Sequence, residues 1–391
     1  TVTVNATGWD GNNAGAGSVE LKADWSGNNT ANGSVTLNGG TWSGNNTGES
    51  AIVSGTNGKW TGDNRGTITV KGITWEGENL TEGSVTLDGG TWTGANSGIA
   101  NIEGGKWTGT NAATTNLLAG EWTGVNTGTA IIEGGAWSND NAGIVTFNGG
   151  SWTGNNAVKG KATIEADGWS GNNAGSVTLN DGTWNGNNSG TVNMFNGTWG
   201  GNNSDIGIVT LNGGTWNGGN EGTATIKGGI WTGDNSGEAT LVNGEWSGDN
   251  LTTGIATIEG GKWTGDNIGK VTLNKGTWEG INKGDANVTE VDWNKDNAGT
   301  VEINKGSWNG NNTGTATLTD VEWEGNNKNK VTVNSGSWVG SNESAGEATL
   351  SGGEWTGDNS GIVKMNGGTW SGNNEAQGNA TIEGGTWKGA N

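Results

Sequence analysis

The sequence predicts an all-β protein that winds as a parallel β-solenoid, or β-helix. Two observations carry this prediction. The chain holds 25 Trp in 391 residues, and of the 24 intervals between successive Trp, 15 measure 15 residues and seven measure 17. A short fixed period indicates repeats that bury their apolar faces only against their neighbours. Because no segment interrupts the roughly 25 Trp-centred repeats of 15–17 residues, one continuous domain is predicted over residues 1–391.

Each repeat follows the pattern L-x-G-G-x-W-x-G-x-N-x-G-x-[VA]-T, as in Leu87 to Asn96 and onward. Two short extended segments fit this unit, one centred on Trp92 and one on Val85-Thr86-Leu87. Alternation with period 2 places Trp, Val and Leu inward and their hydroxylated neighbours outward. We expect both the glycine pairs and the Gly-x-Asn-x-Gly segments to provide turn residues with positive φ. Helix is excluded by the glycine content and by the lack of a 3.6-residue apolar period.

The longer repeats place their extra residues at one position. In all seven 17-residue intervals, two residues are added between the Asn four past Trp and the next Val or Ala, as in Leu80 to Ser84 and Leu251 to Ile255. Insertions confined to one place are typical of a surface loop in a rigid repeating frame.

Stacked repeats bring like residues into columns. Trp is expected to form a buried ladder that supplies most of the apolar burial, and the Asn at the fourth position after every Trp is expected to form a ladder of amide hydrogen bonds. The alternatives are an exposed Trp platform and a binding role for Asn. Representative members of the two structural ladders are Trp42, Trp92, Trp184, Trp278 and Trp370, and Asn46, Asn96, Asn188, Asn282 and Asn374.

A second periodicity bears on the size of one coil. From residue 256 onward Ala and Val alternate at the first inward position of the strand, beginning Ala256, Val271, Ala286. The residue before Trp alternates between charged and hydroxylated types with the same period of two repeats. The alternation favours two repeats per coil of about 30 residues, with one repeat per coil as the alternative.

Several classes of function are disfavoured by composition. Cys and His are absent, which removes thiolate metal sites, disulfides, the commonest metal ligand and the usual neutral-pH general base. A net charge of -21 with a single arginine, Arg65, disfavours nucleic acid as a partner. No segment reaches the roughly 18 apolar residues of a membrane span. No irregular stretch gathers a distinctive pair of carboxylates, so the chain is predicted not to be an enzyme, with no catalytic residue and no cofactor.

The segment from Leu87 to Asn96 resembles the Gly-Gly-x-Gly-x-Asp repeats of RTX calcium-binding β-rolls. That resemblance implies stacked coils, but Trp92 replaces the middle glycine and the ligand Asp is missing from the matching position. Scattered carboxylates do flank the turn, at Asp63, Asp234, Asp249, Asp266 and Asp358. We interpret them as solvated loop charges, with weak Ca²⁺ binding as the alternative.

The whole chain is similar in composition to the Gly-, Asn- and Thr-rich passenger regions of bacterial autotransporter-type adhesins. The resemblance implies a secreted or cell-surface location and a structural or adhesive role. The sequence begins at Thr1 without Met or an apolar leader and ends in register at Asn391, which is read as a processed or partial product.

The leading hypothesis is therefore an extracellular structural protein, a self-assembling filament or sheath subunit or an adhesin stalk, with itself as partner. One alternative is ice binding through Thr-x-Thr ranks such as Thr91-Trp92-Thr93, and another is binding of surface glycans through exposed Trp and Asn.

Overall fold

A computed structural model describes residues 1–5, 8–166 and 168–391 of the chain. It contains β-strands and turns and, within the described residues, no helix. The chain forms two compact units, Thr1–Thr198 and Trp199–Asn391, and each is wound as a parallel β-solenoid. The prediction of an all-β parallel solenoid is confirmed. That residues 1–391 form one continuous domain stays a prediction from the repeat.

The strands up to residue 194 are β1 (Val2–Val4), β2 (Val19–Leu21), β3 (Val35–Leu37), β4 (Thr41–Trp42), β5 (Ala51–Gly55), β6 (Lys59–Trp60), β7 (Thr67–Lys71), β8 (Thr74–Trp75), β9 (Ser84–Trp92), β10 (Ile99–Trp107), β11 (Thr114–Leu117), β12 (Glu121–Trp122), β13 (Thr129–Ile132), β14 (Ala136–Trp137), β15 (Ile144–Phe147), β16 (Ser151–Trp152), β17 (Lys161–Ile164), β18 (Ser176–Leu179), β19 (Thr183–Trp184) and β20 (Thr191–Met194).

The later strands are β21 (Thr198–Trp199), β22 (Ile208–Leu211), β23 (Thr215–Trp216), β24 (Thr223–Ile226), β25 (Ile230–Trp231), β26 (Glu238–Leu241), β27 (Glu245–Trp246), β28 (Ile255–Ile258), β29 (Lys262–Trp263), β30 (Lys270–Leu273), β31 (Thr277–Trp278), β32 (Asp285–Thr289), β33 (Thr300–Trp308), β34 (Thr315–Glu324), β35 (Lys330–Val333), β36 (Gly336–Val339), β37 (Glu347–Leu350), β38 (Glu354–Trp355), β39 (Ile362–Met365), β40 (Thr369–Trp370), β41 (Asn379–Ile382) and β42 (Thr386–Trp387).

One repeat makes one coil. In the parallel pairing of β10 with β12, Trp107 lies beside Trp122, and in the pairing of β10 with β11, Ala100 lies beside Thr115, each a shift of 15 residues. Repeats with an insertion keep the same register, since Trp75 lies beside Trp92. The preference for two repeats per coil is therefore wrong.

Each coil has three β segments. The first is a strand such as β13, whose Ala130 and Ile132 point into the core; the second is the short Trp strand; and the third is a single β-bridge at Asn, as between Asn96 and Asn111. Each segment is too short to be stable alone, so its hydrogen bonds go to the coils above and below. In each unit the core consists mainly of Val, Ala, Leu, Ile, Trp and Asn side chains, and within the described residues it contains no charged side chain.

The inserted residues form a turn at one corner of the coil, as expected. The N–H of Gly83 donates to the carbonyl of Leu80 at 2.8 Å, and Gly254 donates to Leu251 in the same way. The turns project into solvent, and Val158 and Ile206 at their tips are 80% and 72% exposed. Insertions of two residues are accommodated because they leave the flanking ladder positions unchanged.

The glycines have two different roles. The second glycine of each pair adopts positive φ, for example 80° at Gly105, as predicted. Apart from Gly340, with φ of 149°, the glycines on either side of the ladder Asn do not, so that part of the expectation is wrong. Gly94 is instead required by close approach, because a methyl group there would overlap the carbonyl oxygen of Gly77 in the preceding coil.

The corner before Trp has a second form. In three coils the residue two before Trp is not glycine but a buried apolar residue: Ile73, Val291 or Val321. The residue with positive φ then lies one position earlier. These residues are Gly72, Glu290 and Asp320, with φ of 69°, 54° and 55°. A residue other than glycine in this region carries strain of roughly 1–2 kcal/mol. The added apolar burial at Val291 and Val321 opposes that strain.

Replacement of Gly105 by alanine is expected to lower the free energy of unfolding by at least about 1–2 kcal/mol, because its φ is positive and the methyl would crowd the carbonyl of Gly90. Urea denaturation followed by circular dichroism measures the loss. The matched control is Gly104→Ala, since a methyl on Gly104 meets only the amide nitrogen of Gly89 at 3.5 Å. Equal destabilisation by the two variants would contradict this account of the corner.

Candidate functional site: the stacked tryptophan and asparagine ladders

The Trp residues of each unit form one continuous stack. From Trp9 to Trp184 successive ring centroids are 4.6 to 5.0 Å apart with interplanar angles of 7 to 12°. From Trp199 to Trp387 they are 4.5 to 5.4 Å apart with angles of 6 to 12°. These spacings lie in the range of favourable aromatic pairs.

The rings are inside the protein. Trp42, Trp92 and Trp184 in the first unit and Trp278 and Trp370 in the second are at most 1% exposed. Trp9 and Trp387 are half-buried. The predicted buried Trp ladder is confirmed, and the exposed Trp platform that would stack on a sugar ring is wrong.

From Trp25 onward the indole N–H groups donate to the preceding coil. Trp107 Nε1 donates to the carbonyl of Gly94 at 3.0 Å, and Trp278 Nε1 donates to that of Gly265 at 3.0 Å. The acceptor is the residue two past the preceding Trp, which is glycine in most coils, Asn139 in one and Lys295 in another. This hydrogen bond satisfies the polar N–H at the edge of the indole, so the whole ring can be stacked inside the core.

The predicted Asn ladder is also present. Asn96 Nδ2 donates to Asn111 Oδ1 at 2.9 Å, and most of the amides also bond to backbone near their own turn, as Asn111 does to the carbonyl of Ala113 at 3.0 Å. Asn46, Asn188 and Asn282 are fully buried in equivalent positions, while Asn374 is half-buried. Because each amide both donates and accepts along the column, the ladder joins successive coils in a chain of polarised bonds.

A second ladder runs outside the first, one residue before the buried Asn, and the sequence interpretation missed it. Here a side-chain oxygen accepts the backbone N–H of the same position in the next coil, as Asn28 Oδ1 does from Asn45 at 2.8 Å. The oxygens of all five turn-flanking carboxylates, Asp63, Asp234, Asp249, Asp266 and Asp358, accept such bonds. These carboxylates, interpreted from the sequence as solvated loop charges, remain half-buried or exposed and in addition replace Asn in this outer ladder.

Weak Ca²⁺ binding by these carboxylates stays a prediction. Among the described residues no group of three or more His, Cys, Asp or Glu is arranged to hold a metal ion. Burial by itself would raise the pKa of Asp266, but the hydrogen bonds from Lys283 and from the N–H of Ile281 outweigh it, and the pKa lies below its ordinary value. The favourable interaction of Asp266 is therefore present above the pKa of an unfolded Asp and is lost as the pH falls through the folded pKa.

Charged side chains lie on the surface and pair between neighbouring coils. Eight ion pairs occur among the described residues, including Lys59 with Glu76 at 2.8 Å and Lys262 with Glu279 at 3.1 Å. Their side chains are 28 to 63% exposed, so solvent screens each pair and its contribution to stability is small. The ladders, and not these pairs, hold the coils together.

Comparison of this chain with protein-family models, with curated proteins and with solved structures finds no match. Within residues 1–5, 8–166 and 168–391 no helix has the length and apolarity needed to cross a bilayer.

Proposed function

We propose that this chain is an extracellular structural protein, a subunit of a filament or sheath or the stalk of an adhesin. The observation that carries the proposal is that, within each unit, successive coils are joined by the same set of contacts: backbone pairing, stacked indoles and the inner Asn ladder. This construction stabilises a stiff column and leaves the outward positions free to vary. The extracellular location rests on the compositional likeness to autotransporter-type passenger regions alone.

Self-association follows from the equivalence of the coils. The surface that one coil offers to the next carries the same Trp, Asn and Val or Ala positions throughout a unit, so a coil of one molecule would fit a coil of another head to tail. Such a contact is heterologous and does not close, which produces filaments. The net charge of -21 opposes sideways clumping.

Negative-stain electron microscopy of the purified protein over a range of concentrations tests the proposal. We expect linear polymers whose length grows with concentration, together with a concentration-dependent sedimentation coefficient. A single monomeric species at every concentration would overturn the filament proposal.

Calcium is expected to promote lateral bundling of these polymers, because divalent ions screen and bridge the acidic surfaces. Light scattering should rise on addition of Ca²⁺ and fall on addition of a chelator. The control is KCl at equal ionic strength, which screens but does not bridge. Scattering that responds equally to both salts would show that screening alone acts, and no response to either would exclude bundling.

Ice binding is a second candidate, favoured by one surface feature of the first unit. The residue after Trp points outward and is hydroxylated in six successive coils, namely Thr93, Thr108, Thr123, Ser138, Thr153 and Ser170. Thermal hysteresis of the dilute protein tests this candidate. Thr123→Lys should abolish the hysteresis while Thr349→Lys, in the second unit, should not.

Glycan binding now rests on outward Asn and Thr alone, since the Trp rings are buried.

A further inference from the structure

Tryptophan is almost the only readily oxidised side chain in this protein. The sequence has 25 Trp, two Met, and no Cys, Tyr or His. Both methionines, Met194 and Met365, are fully buried in the core. Indole is more easily oxidised by one electron than the thioether of Met, so an oxidant that removes single electrons from this protein takes them from indole first.

The indoles are arranged for charge to move between them. Twelve rings in the first unit and 13 in the second are nearly parallel and in contact, and all but Trp9 and Trp387 are buried. In such a stack the π orbitals of neighbouring rings overlap, so an electron vacancy on one ring can be shared with or passed to the next. Burial in a rigid core also keeps the rings from reorganising when the charge moves.

The proton of each indole stays in place during such a transfer. The N–H of Trp92 donates to the carbonyl of Gly77 at 3.0 Å, and the amide oxygen is too weak a base to take the proton at neutral pH. An oxidised ring therefore remains a radical cation, and the vacancy moves without waiting for a proton to return. No buried cation opposes the positive charge among the described residues, and the net charge of -21 favours it.

We propose that the stacked indoles of each unit conduct electron vacancies, so that the protein acts as a relay or sink for one-electron oxidants. An outer-sphere oxidant with a potential above that of the indole radical cation takes one electron from one ring and is itself reduced by one. An electron from the adjacent ring then fills the vacancy, and the positive charge moves one coil along. No bond forms or breaks, and one indole radical cation per electron removed remains in the stack.

A photo-oxidant attached at a single site tests the proposal. Because the chain has no Cys, Thr93→Cys gives one attachment point beside Trp92 for a ruthenium polypyridyl complex. A light flash with pentaamminechlorocobalt(III) as the electron acceptor produces Ru(III), which oxidises the stack, and the reduced cobalt(II) complex loses its ligands without generating a second oxidant. Electron paramagnetic resonance then reports whether the radical is shared between rings, because sharing narrows the resonance line of the indole radical. Near-infrared absorption reports a pair of stacked rings that share one radical cation.

Two matched double variants isolate the effect of the stack. Trp75→Phe with Trp107→Phe separates Trp92 from its neighbours, whereas Trp137→Phe with Trp169→Phe makes the same changes but leaves Trp60 to Trp122 intact. We expect a narrow line and a near-infrared band in the labelled parent and in the second variant. The first variant should give a broad line and lose the band.

If a double variant fails to fold, the labelled parent protein alone tests the proposal. The spectrum of the parent is then compared with that of the radical of free N-acetyltryptophanamide. A parent line as broad as that of the free indole, without near-infrared absorption, overturns the proposal. So does a parent spectrum identical to that of the variant in which Trp92 is isolated.

Discussion

Replacement of Trp107 by alanine is expected to lower the free energy of unfolding by roughly 3 to 5 kcal/mol. The change removes a fully buried ring and its stacking contacts with Trp92 and Trp122, at 4.7 and 4.8 Å. It also leaves the carbonyl of Gly94 without its indole donor. Because contacts in a solenoid are made between nearest neighbours, the loss should be largest in the coils on either side.

Amide hydrogen exchange measures the loss of stability in each coil, and urea denaturation measures the change in the free energy of unfolding of the whole protein. The matched control is Thr108→Ala, one residue along, where the side chain points outward and is exposed. We expect the control to change stability by no more than about 0.5 kcal/mol. Comparable losses in the two variants would mean that the ring does not stabilise the fold.

Replacement of Asn173 by aspartate is expected to destabilise the protein by roughly 3 to 5 kcal/mol at neutral pH. The Asn173 amide accepts a bond from Asn156 and donates to Asn188 Oδ1 at 2.7 Å, in a fully buried position. An ionised carboxylate there could accept but not donate, and it would face the oxygen of Asn188. The chain of amide bonds would therefore break at one point while a charge is buried.

This penalty should depend on pH. The introduced carboxyl is fully buried and one of its oxygens faces the oxygen of Asn188, so its folded pKa is raised above the unfolded value of about 3.9. The variant is therefore least destabilised below that value and loses stability as the pH rises toward the folded pKa. The control is Asn172→Asp in the exposed outer ladder, a position that is Asp in other coils, and urea denaturation between pH 3 and 8 compares the two variants. A pH-independent difference between them would contradict the prediction.

The sequence alone was sufficient to predict the fold and both inner ladders. Trp recurs at a fixed interval and Asn follows it at a fixed distance, so Trp92 and Asn96 had to fall in columns once the repeats stacked. The inward direction of Val85 and Leu87 followed from alternation with Thr86. These inferences depend only on period and strand geometry, which neighbouring coils do not alter.

The size of the coil could not be inferred from the alternation of residue types, because that alternation has a nearest-neighbour cause. Charged residues before Trp, such as Asp292 and Glu322, are separated by Ser307, so like charges do not stack directly between adjacent coils. Ser307 Oγ also donates to Asp292 at 2.6 Å. Ala and Val alternate in the core as Val301 packs between Ala286 and Ala316. A coil of one repeat produces both patterns.

The outer ladder was not predicted because the residue type at its position varies from coil to coil. Its position is Asn or Asp in many coils but Ala95 and Val125 in others, and the partner is a backbone N–H that no sequence pattern displays. The need for Gly94 was read as a turn requirement because close approach between coils depends on the packed structure. The buried corner residues Ile73 and Val321 depend likewise on a local shift of the left-handed residue.

Exchange of the indole N–H protons with D₂O, resolved by NMR of ¹⁵N-labelled Trp, tests the central claim most directly. From Trp25 to Trp184 every indole N–H donates to a backbone carbonyl of the preceding coil, and the rings are at most 1% exposed. We predict slow exchange for these protons, with protection that disappears only on unfolding. Exchange as fast as in free N-acetyltryptophanamide would show that the rings are wetted and that no such stack exists.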